Sequence, residues 1–525
     1  MSQHDNQAAA ASSRAPFDQG SQHGLIVRCN IPAGHLTAEQ YLVLDDLATR
    51  YANETLRITT RHNVQLHGVL AKDLQDTLRH INASLSVSLG ASGEVGRHLM
   101  RCPAPGADAV STAIQAVTQQ LVERLLPQTR AYHEVWLDGE KVYDGQTQAT
   151  GRPASGHEAQ LPQHFKIGIA APGDNCIDVY THDLGLVPVA TDGVWVGCNV
   201  LIGGGMGMTP GKPETFPRLA APLAFIAPQQ VLVVLEQTLG LRREYAERMK
   251  RPQVRFKSII GAWGVERFRA ALEQRLGSPL QDVVPMPSQH LDLHLGWHPQ
   301  GDGRWYLGLS IENGRIRDRD GMHLRTGLRE LIATFRPGVR LTPNQDLLLT
   351  DLPQAQRGEV ERLLHDHGIP LPHQLSQARR YAMACPALPT CGHAVAEAER
   401  ALPEIIDGLE SAMTRLGLQD EQLTIRMTGC SFGCTRPYVA DLAFVGVAPN
   451  RYAIYVGGRP DGSRLNLPFK DLVAGEALVD AVLPLLAGYK CRRAAGERFG
   501  DFCVRLGIDA LRDLADSFRG ERIDG

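Results

Sequence analysis

The chain has 525 residues, of which 43% are hydrophobic and 21% charged, with a formal net charge of −3. That length holds roughly two to four domains, and the composition is that of an ordinary globular protein. The near-neutral balance excludes a global basic field for nucleic acid, and no uninterrupted apolar run reaches the roughly 18 residues a membrane span needs.

Residues 1–20 are small and polar, with no apolar signal-peptide core, and read as a disordered lead-in. A cytoplasmic protein is therefore expected. Disulfides are rare in that compartment, and clustered cysteines there mean metal or redox chemistry. From residue 21 helical and strand patterns alternate, which predicts a mixed α/β (α+β) class.

A helix-like stretch, "TAEQYLVLDDLATRYA", leads into "LRITTRHNVQLHGV" at 56–69. The same order recurs where "RTGLRELIATF" leads into "VRLTPNQDLLLTDL" at 339–352. The two strand segments align without gaps, Arg57 with Arg340 and Thr59 with Thr342. A fainter pair follows: "GCNVLIGGGMG" precedes a helical region from about 228, and "RYAIYVGGRPDG" one from about 475. The chain thus reads as a duplicated two-part unit. Small modules are expected at 21–80 and 281–360, and larger ones at 81–280 and 361–525. Turn-rich connections lie at 145–162, 277–289 and 367–377.

Read as one strand, residues 56–67 place Arg57, Thr59, Arg61, Asn63, Gln65 and His67 on one face and mostly apolar residues on the other. A solvated face usually mixes both charge signs, and this one holds no acid. An anionic ligand along the strand accounts for it better. The glycine-rich "IGGGMGMTPG" at 202–211 matches neither a dinucleotide fingerprint nor a phosphate loop.

Four of the ten cysteines stand in two tight pairs, Cys385 with Cys391 and Cys430 with Cys434. Between the pairs, Leu402, Ile405, Ile406, Leu409, Met413 and Leu416 fall at helical spacing, with Gly417 as C-cap. Each pair therefore sits on a loop, with Pro or Gly beside the sulfurs so that backbone N–H groups can approach them. Buried structural cysteines and a structural zinc site are the competing readings; four thiolates on an iron–sulfur cluster fit the spacing best. The remaining Cys29, Cys102, Cys176, Cys198, Cys491 and Cys503 are scattered and read as core residues.

The segments around the paired cysteines, "MACPALPTCGHAVAEAERALPEI" and "IRMTGCSFGCTRPYVADLAFVG", resemble the two cluster motifs of the sulfite and nitrite reductase hemoprotein family. "LIVRCNIPAGHLT", "YHEVWLDGEKV", "SIENGRIRD", "TGLRELI" and "GERFGDFCVRLGI" extend the resemblance to about residues 21–515, on the sulfite reductase branch. The resemblance implies a pseudo-two-fold architecture with two ferredoxin-like modules and two siroheme-domain modules. It implies that the four cysteines bind a 4Fe-4S cluster and that Cys434 also bridges to the iron of siroheme. Arg57, Thr59, Arg61, Gln65 and His67 match family positions at the siroheme, whose rim of carboxylates suits arginine donors. The second copy has lost most of that charge, which fits one working cofactor site and one degenerate one.

The family's substrate clamp of two arginines and two lysines maps onto Arg28, Arg97, His164 and Lys166. His164 replaces a lysine, and a histidine titrates near 6.5 rather than about 10.4, so it is expected to donate protons while attracting the anion less strongly near neutral pH. Lys166 stands where nitrite reductases of the family tend to carry asparagine, which favours sulfite. Ser431, Phe432 and Gly433 replace the family's Pro-Asn-Gly between the last two cysteines. The expected function is assimilatory six-electron reduction of sulfite to sulfide. The alternatives are nitrite reduction to ammonia and a non-catalytic siroheme-binding or electron-transfer protein. With no nicotinamide or flavin fingerprint in the chain, the expected electron source is a partner, either an NADPH-dependent flavoprotein subunit or a ferredoxin.

Overall fold

The computed structural model describes residues 17–19, 22–85, 99–125, 134–137, 140–144, 165–209, 212, 214–249, 255–319 and 321–518. Arg97, His164 and the connection at 145–162 lie outside the described residues.

The small repeat folds as predicted, with one difference. Residues 56–69 are a hairpin rather than one strand: Leu56–Ile58 turns back into Val64–Leu70, with Arg57 opposite Gln65. The turn is built by Thr59, whose N–H donates to Asn63 O at 2.8 Å and whose Oγ1 accepts the N–H groups of Arg61 and Asn63. His62 takes the left-handed conformation (φ 57°) that closes it. The second copy repeats this bond for bond: Thr342 N–H donates to Asp346 O, and Thr342 Oγ1 accepts from Asn344 and Asp346. Here Gln345 is left-handed, at φ 73°. A threonine hydroxyl organising its own turn is local chemistry that face-alternation does not reveal.

The helix Ala38–Tyr51 precedes the first hairpin and Leu324–Phe335 the second. The first starts from a capping box of Thr37 and Gln40. The two small sheets exchange strands. Arg315–Ile316, from the second copy, pairs with Leu56–Ile58 of the first, and His35–Leu36 pairs with Gly338–Leu341 of the second. The first sheet begins with an edge strand, Phe17–Gln19, inside the expected lead-in. One apolar core serves both modules, with Leu44, Ile58 and Leu66 against Leu309, Leu328 and Leu349. Burying each such side chain contributes about 1.5–3 kcal/mol.

The larger modules are also copies. Strands Leu99–Arg101, Ile167–Ile169, Leu184–Thr191, Val194–Ile202 and Ala221–Ile226 form one sheet, with two parallel and then two antiparallel pairings. Ala382–Ala384, Ile425–Thr428, Leu442–Ala448, Arg451–Val456 and Leu467–Ala474 form the other in the same order. Helices Val231–Arg248 and Leu478–Arg492 follow, as the sequence predicts. The glycine pairs fill one role in both copies. Gly203 and Gly457 have positive φ, and a Cβ on Gly204 or Gly458 would meet backbone oxygens of the turn beneath at 2.4 and 2.2 Å.

The pseudo-two-fold relation is sealed by an ion pair between equivalent positions. Asp178 and Arg436 each stand left-handed (φ 53°) before matching turns, Val179–Thr181 and Pro437–Val439. Arg436 Nε meets Asp178 Oδ2 at 2.5 Å, and Arg426 reaches the same oxygen at 2.8 Å. The Arg436 guanidinium also donates to Thr60 O and Pro343 O, which are equivalent residues of the two hairpin turns. Cys29, Cys102, Cys176, Cys198 and Cys503 are buried as expected, whereas Cys491 is exposed on the last turn of its helix. No helix among the described residues is long and apolar enough to cross a membrane.

Candidate active site

Cys385 directly follows the strand Ala382–Ala384, and Cys430 comes two residues after Ile425–Thr428. These strands are parallel neighbours, so both cysteine loops leave the sheet at the same end, the C-terminal end of the two strands. The predicted helix between the pairs is Leu402–Arg415, with Leu402, Ile405, Ile406, Leu409 and Met413 buried and Gly417 left-handed beyond its end. Gly429 lets the loops close on each other: a Cβ there would stand 2.6 Å from Ala387 Cβ and from Ala396 O. Its N–H points at Cys385 Sγ at 3.3 Å, and Thr428 Oγ1 lies 3.5 Å from the same sulfur.

All four cysteines line a single cavity. Cys385 and Cys430 are buried, Cys391 is half-buried and Cys434 is open to the cavity. Burial pushes the thiol of Cys385 up to about 12 and those of Cys430 and Cys434 to about 11, and repulsion between the cysteines adds to it. Four thiolates in one enclosed space require compensating cationic charge, which the irons of a cluster supply. The donor set therefore fits a 4Fe-4S cluster.

The opposite wall comes from the first half. Arg28, on strand Gln22–Cys29 opposite Gln65, lines the cavity, as do Thr59 and Arg61 of the hairpin turn. Thr60 Oγ1 donates to Cys434 O at 2.8 Å, tying that turn to the last cysteine. Lys166 enters from the start of the strand Ile167–Ile169, its N–H held by Asp183 Oδ2 at 2.9 Å. Enclosure by protein, then Arg61 and Arg255, lower its ammonium to about 7, against the opposing pull of Asp183 and Cys434. His182 also lines the cavity; burial and the nearby cations hold it well below its ordinary value, so it is a neutral imidazole near pH 7.

Two of the sequence-derived positions are already engaged by protein. The buried Arg57 lines the cavity, but its guanidinium donates to Glu399 Oε2 and Ala384 O, each at 2.8 Å, and to Ile58 O and Asn313 O. His67 is not among the cavity-lining residues. Its Nε2 faces Gln65 Oε1 at 3.0 Å and its Nδ1 faces Arg315 at 3.1 Å. His67 thus sits behind the wall that Gln65 presents, whereas Arg57 is part of that wall with its guanidinium turned to protein partners. Sequence reasoning missed Thr60, His182, Met206, Gln345 and Arg436. Only Arg436 carried a signal, two residues after Cys434, since a buried charge beside a ligand needs a partner. Phe432 is exposed at the cavity edge, its ring edge-on to His393 at 5.4 Å. Its loop is fastened by Met208 N–H to Ser431 O at 2.9 Å, so the described part of the glycine-rich stretch, 202–209, buttresses the cysteine loop.

Comparison with known proteins agrees with this arrangement. The Nitrite and sulphite reductase 4Fe-4S domain matches residues 119–280 and 376–521. The Nitrite/Sulfite reductase ferredoxin-like half domain matches 17–84 and 298–367. A protein of Synechococcus elongatus named sulfite reductase (ferredoxin) is 41% identical over 512 residues, covering 94% of this chain and 82% of that one. A Geobacillus kaustophilus protein named sulfite reductase (NADPH) hemoprotein beta-component is 41% identical over 497 residues, covering 94% and 85%. The solved structure of Mycobacterium tuberculosis NirA superposes with a TM-score of 0.74 at 22% identity, covering 94% of this chain and 88% of that one, and so shares the fold. With duplicated half domains and four cysteines facing a cationic wall, the chain belongs to the nitrite and sulphite reductase family.

Proposed function

We propose that this chain is the hemoprotein of an assimilatory sulfite reductase, reducing sulfite to sulfide at a siroheme coupled to a 4Fe-4S cluster. The observation that carries this reading is the meeting of the four cysteines with Arg28, Arg61 and Lys166 around one cavity. Sulfite, six electrons and seven protons give hydrosulfide and three waters, so the site must bind a dianion, deliver protons and release water. When bound, the coupled cofactors supply the electrons and the metal at which the substrate sulfur is held.

The protein's own part follows from its side chains. Cys385, Cys391, Cys430 and Cys434 would hold the cluster. Arg57, Thr59, Arg61 and Gln65 line the wall that would hold the siroheme, with His67 supporting Gln65 from behind. Arg28 and Lys166, with Arg97 and His164, form the anion clamp. Burial, with Arg61 and Arg255, lowers Lys166 in the free chain; a bound dianion would raise it, so Lys166 would hold the substrate as an ammonium and could pass its proton on as oxygen leaves. Module boundaries near 80, 280 and 360 fit a duplicated unit closing on this cavity. A cytoplasmic setting suits thiols that must bind iron. Electrons come from a separate donor, a ferredoxin or an NADPH-dependent flavoprotein; ferredoxin stands in the name of one relative and NADPH in that of another.

Steady-state turnover of the cofactor-replete protein with reduced methyl viologen tests the reading. A kcat/KM for sulfite above that for nitrite is expected. A nitrite preference, or no turnover, overturns it. The same assay across pH examines His164. Activity should fall more steeply above about pH 7 in the native chain than in His164→Lys, because imidazole loses its charge there and lysine keeps it; superimposable profiles remove His164 from proton delivery.

A further inference from the structure

A second buried cluster lies where the half that lacks the cysteine pairs meets the segment leading into the second small module. Cys102, Asp174, Cys176 and His294 bring one ligand atom each to within 4.8 Å of all the others, and all four are buried. Asp174 Oδ2 stands 3.1 Å from His294 Nε2 and 3.2 Å from Cys102 Sγ, and that sulfur is 3.3 Å from His294 Nε2.

The placement is not accidental to the fold. Cys102 directly follows the strand Leu99–Arg101, as Cys385 directly follows its counterpart Ala382–Ala384. Cys176 stands two residues before Asp178, as Cys434 stands two before Arg436. Two of the cluster-cysteine positions are therefore thiols in both halves. The other two donors are the carboxylate of Asp174, from the same half as Cys102 and Cys176, and the imidazole of His294, from the segment that enters the second small module.

We propose that Cys102, Cys176, Asp174 and His294 form a second, structural metal site that takes one zinc-like divalent cation. A tetrahedral zinc with bonds of about 2.0–2.3 Å sets its donors roughly 3.3–3.8 Å apart; the separations among Asp174, His294 and Cys102, 3.1–3.3 Å, lie at or just below the short end of that spacing, and Cys176 Sγ lies within 4.8 Å of each. Four protein donors of mixed softness, with no open position, are the pattern of a structural site.

The surroundings are built as metal sites are. His294 presents Nε2 to the cluster while Nδ1 faces Asp292 Oδ2 at 3.5 Å, the carboxylate–imidazole–metal order that fixes a ligand's tautomer. Asp174 Oδ1, the oxygen turned away, accepts the N–H groups of Cys176 and Asp292 at 3.0 and 3.1 Å. His294 holds a left-handed backbone (φ 57°), unusual for a non-glycine, to aim its ring inward. Two thiolates and a carboxylate outweigh a dication by one charge. The buried guanidinium of Arg101, whose Nε donates to Cys102 O at 3.1 Å, lies beside them. The ion would fasten the segment entering the second small module to the turn that carries Asp178.

The test is the metal content of the full-length holoprotein, purified without chelators or metal-affinity resin. About one zinc per chain is expected in addition to the cofactor iron, with zinc-edge absorption showing two sulfur and two lighter scatterers. A Cys102→Ser/Cys176→Ser chain should lose the zinc and keep the iron and visible spectrum, while Cys491→Ser, at an exposed cysteine, keeps both. Three results overturn the site. One is native protein that holds less than about 0.1 zinc per chain and takes up none on zinc titration. Another is zinc that survives the double substitution. The last is zinc that rises only as iron falls, which places it in the four-cysteine site.

Discussion

The two halves of this molecule share a backbone plan down to single hydrogen bonds, yet only one supplies the four thiols of the cavity that both line. In the second half the positions after the strand Ala382–Ala384 and before the repeated turn hold Cys385 and Cys434, and two more cysteines join them. In the first half those positions are Cys102 and Cys176, sealed among Asp174 and His294. Meanwhile the hairpin turn of the first copy carries Arg61 where the second has Asn344. Each half thus keeps its framework and specialises one surface, and the working cavity is made from the specialised surface of each. Duplication supplies geometry, and a few side chains decide chemistry.

Breaking the comparison at its centre should have the largest effect. Cys434→Ser should cut activity below about one thousandth and abolish the cluster's visible absorption, whereas the equivalent change Cys176→Ser should leave the iron content intact. Iron analysis and spectra distinguish them. Removing the carboxylate between the halves comes next. Asp178→Ala leaves Arg426 and Arg436 buried without their anion and should cost about 3–5 kcal/mol in urea denaturation. An undiminished midpoint would mean that the pair does not join the copies.

A milder substitution sharpens the comparison by making the copies more alike. Asn63 Oδ1 accepts the N–H of Ile31 at 2.7 Å, and Asp346 Oδ1 does the same for Ile311 at 2.9 Å. Burial pushes the Asp346 carboxyl up to about 8. An acid raised on folding is carried without penalty below its unfolded value, near 4, and loses stability as pH climbs toward its folded value. Asp346→Asn should therefore stabilise by about 1–3 kcal/mol at pH 7, with the gain vanishing toward pH 4. A pH-independent difference would contradict it. The smallest effect belongs to the helix starts. Thr37→Ala removes the capping box of Ala38–Tyr51 and should cost about 1 kcal/mol. The equivalent helix takes its N-terminal bonds from Asp318, so Asp318→Ala should match it.

Much of this plan was legible from local pattern. The spacing of Leu402, Ile405, Ile406, Leu409 and Met413 marks a helix because burial on one face demands it. The gapless match of Arg57 with Arg340 and Thr59 with Thr342 exposes the repeat because equivalent turns need equivalent chemistry. What escaped depends on long-range meetings. Asp178 and Arg436 are 258 positions apart, and His294 is 120 from Asp174, so no spacing rule links them. Arg57 shows the converse. Its place in the polar series was plain, but its burial against Glu399 depends on a partner 342 residues away. Cys491 was misread as core because a lone cysteine has no periodicity to test.

The exchanged strands carry a consequence for synthesis. The edge at Leu56–Ile58 is closed by Arg315–Ile316, which leaves the ribosome about 260 residues later. At 5–20 residues per second that interval is roughly 10–50 s, during which the first hairpin presents unpaired backbone to every neighbouring nascent chain. The same interlock that joins the finished small modules leaves the growing one with an open strand edge until the second copy has been made.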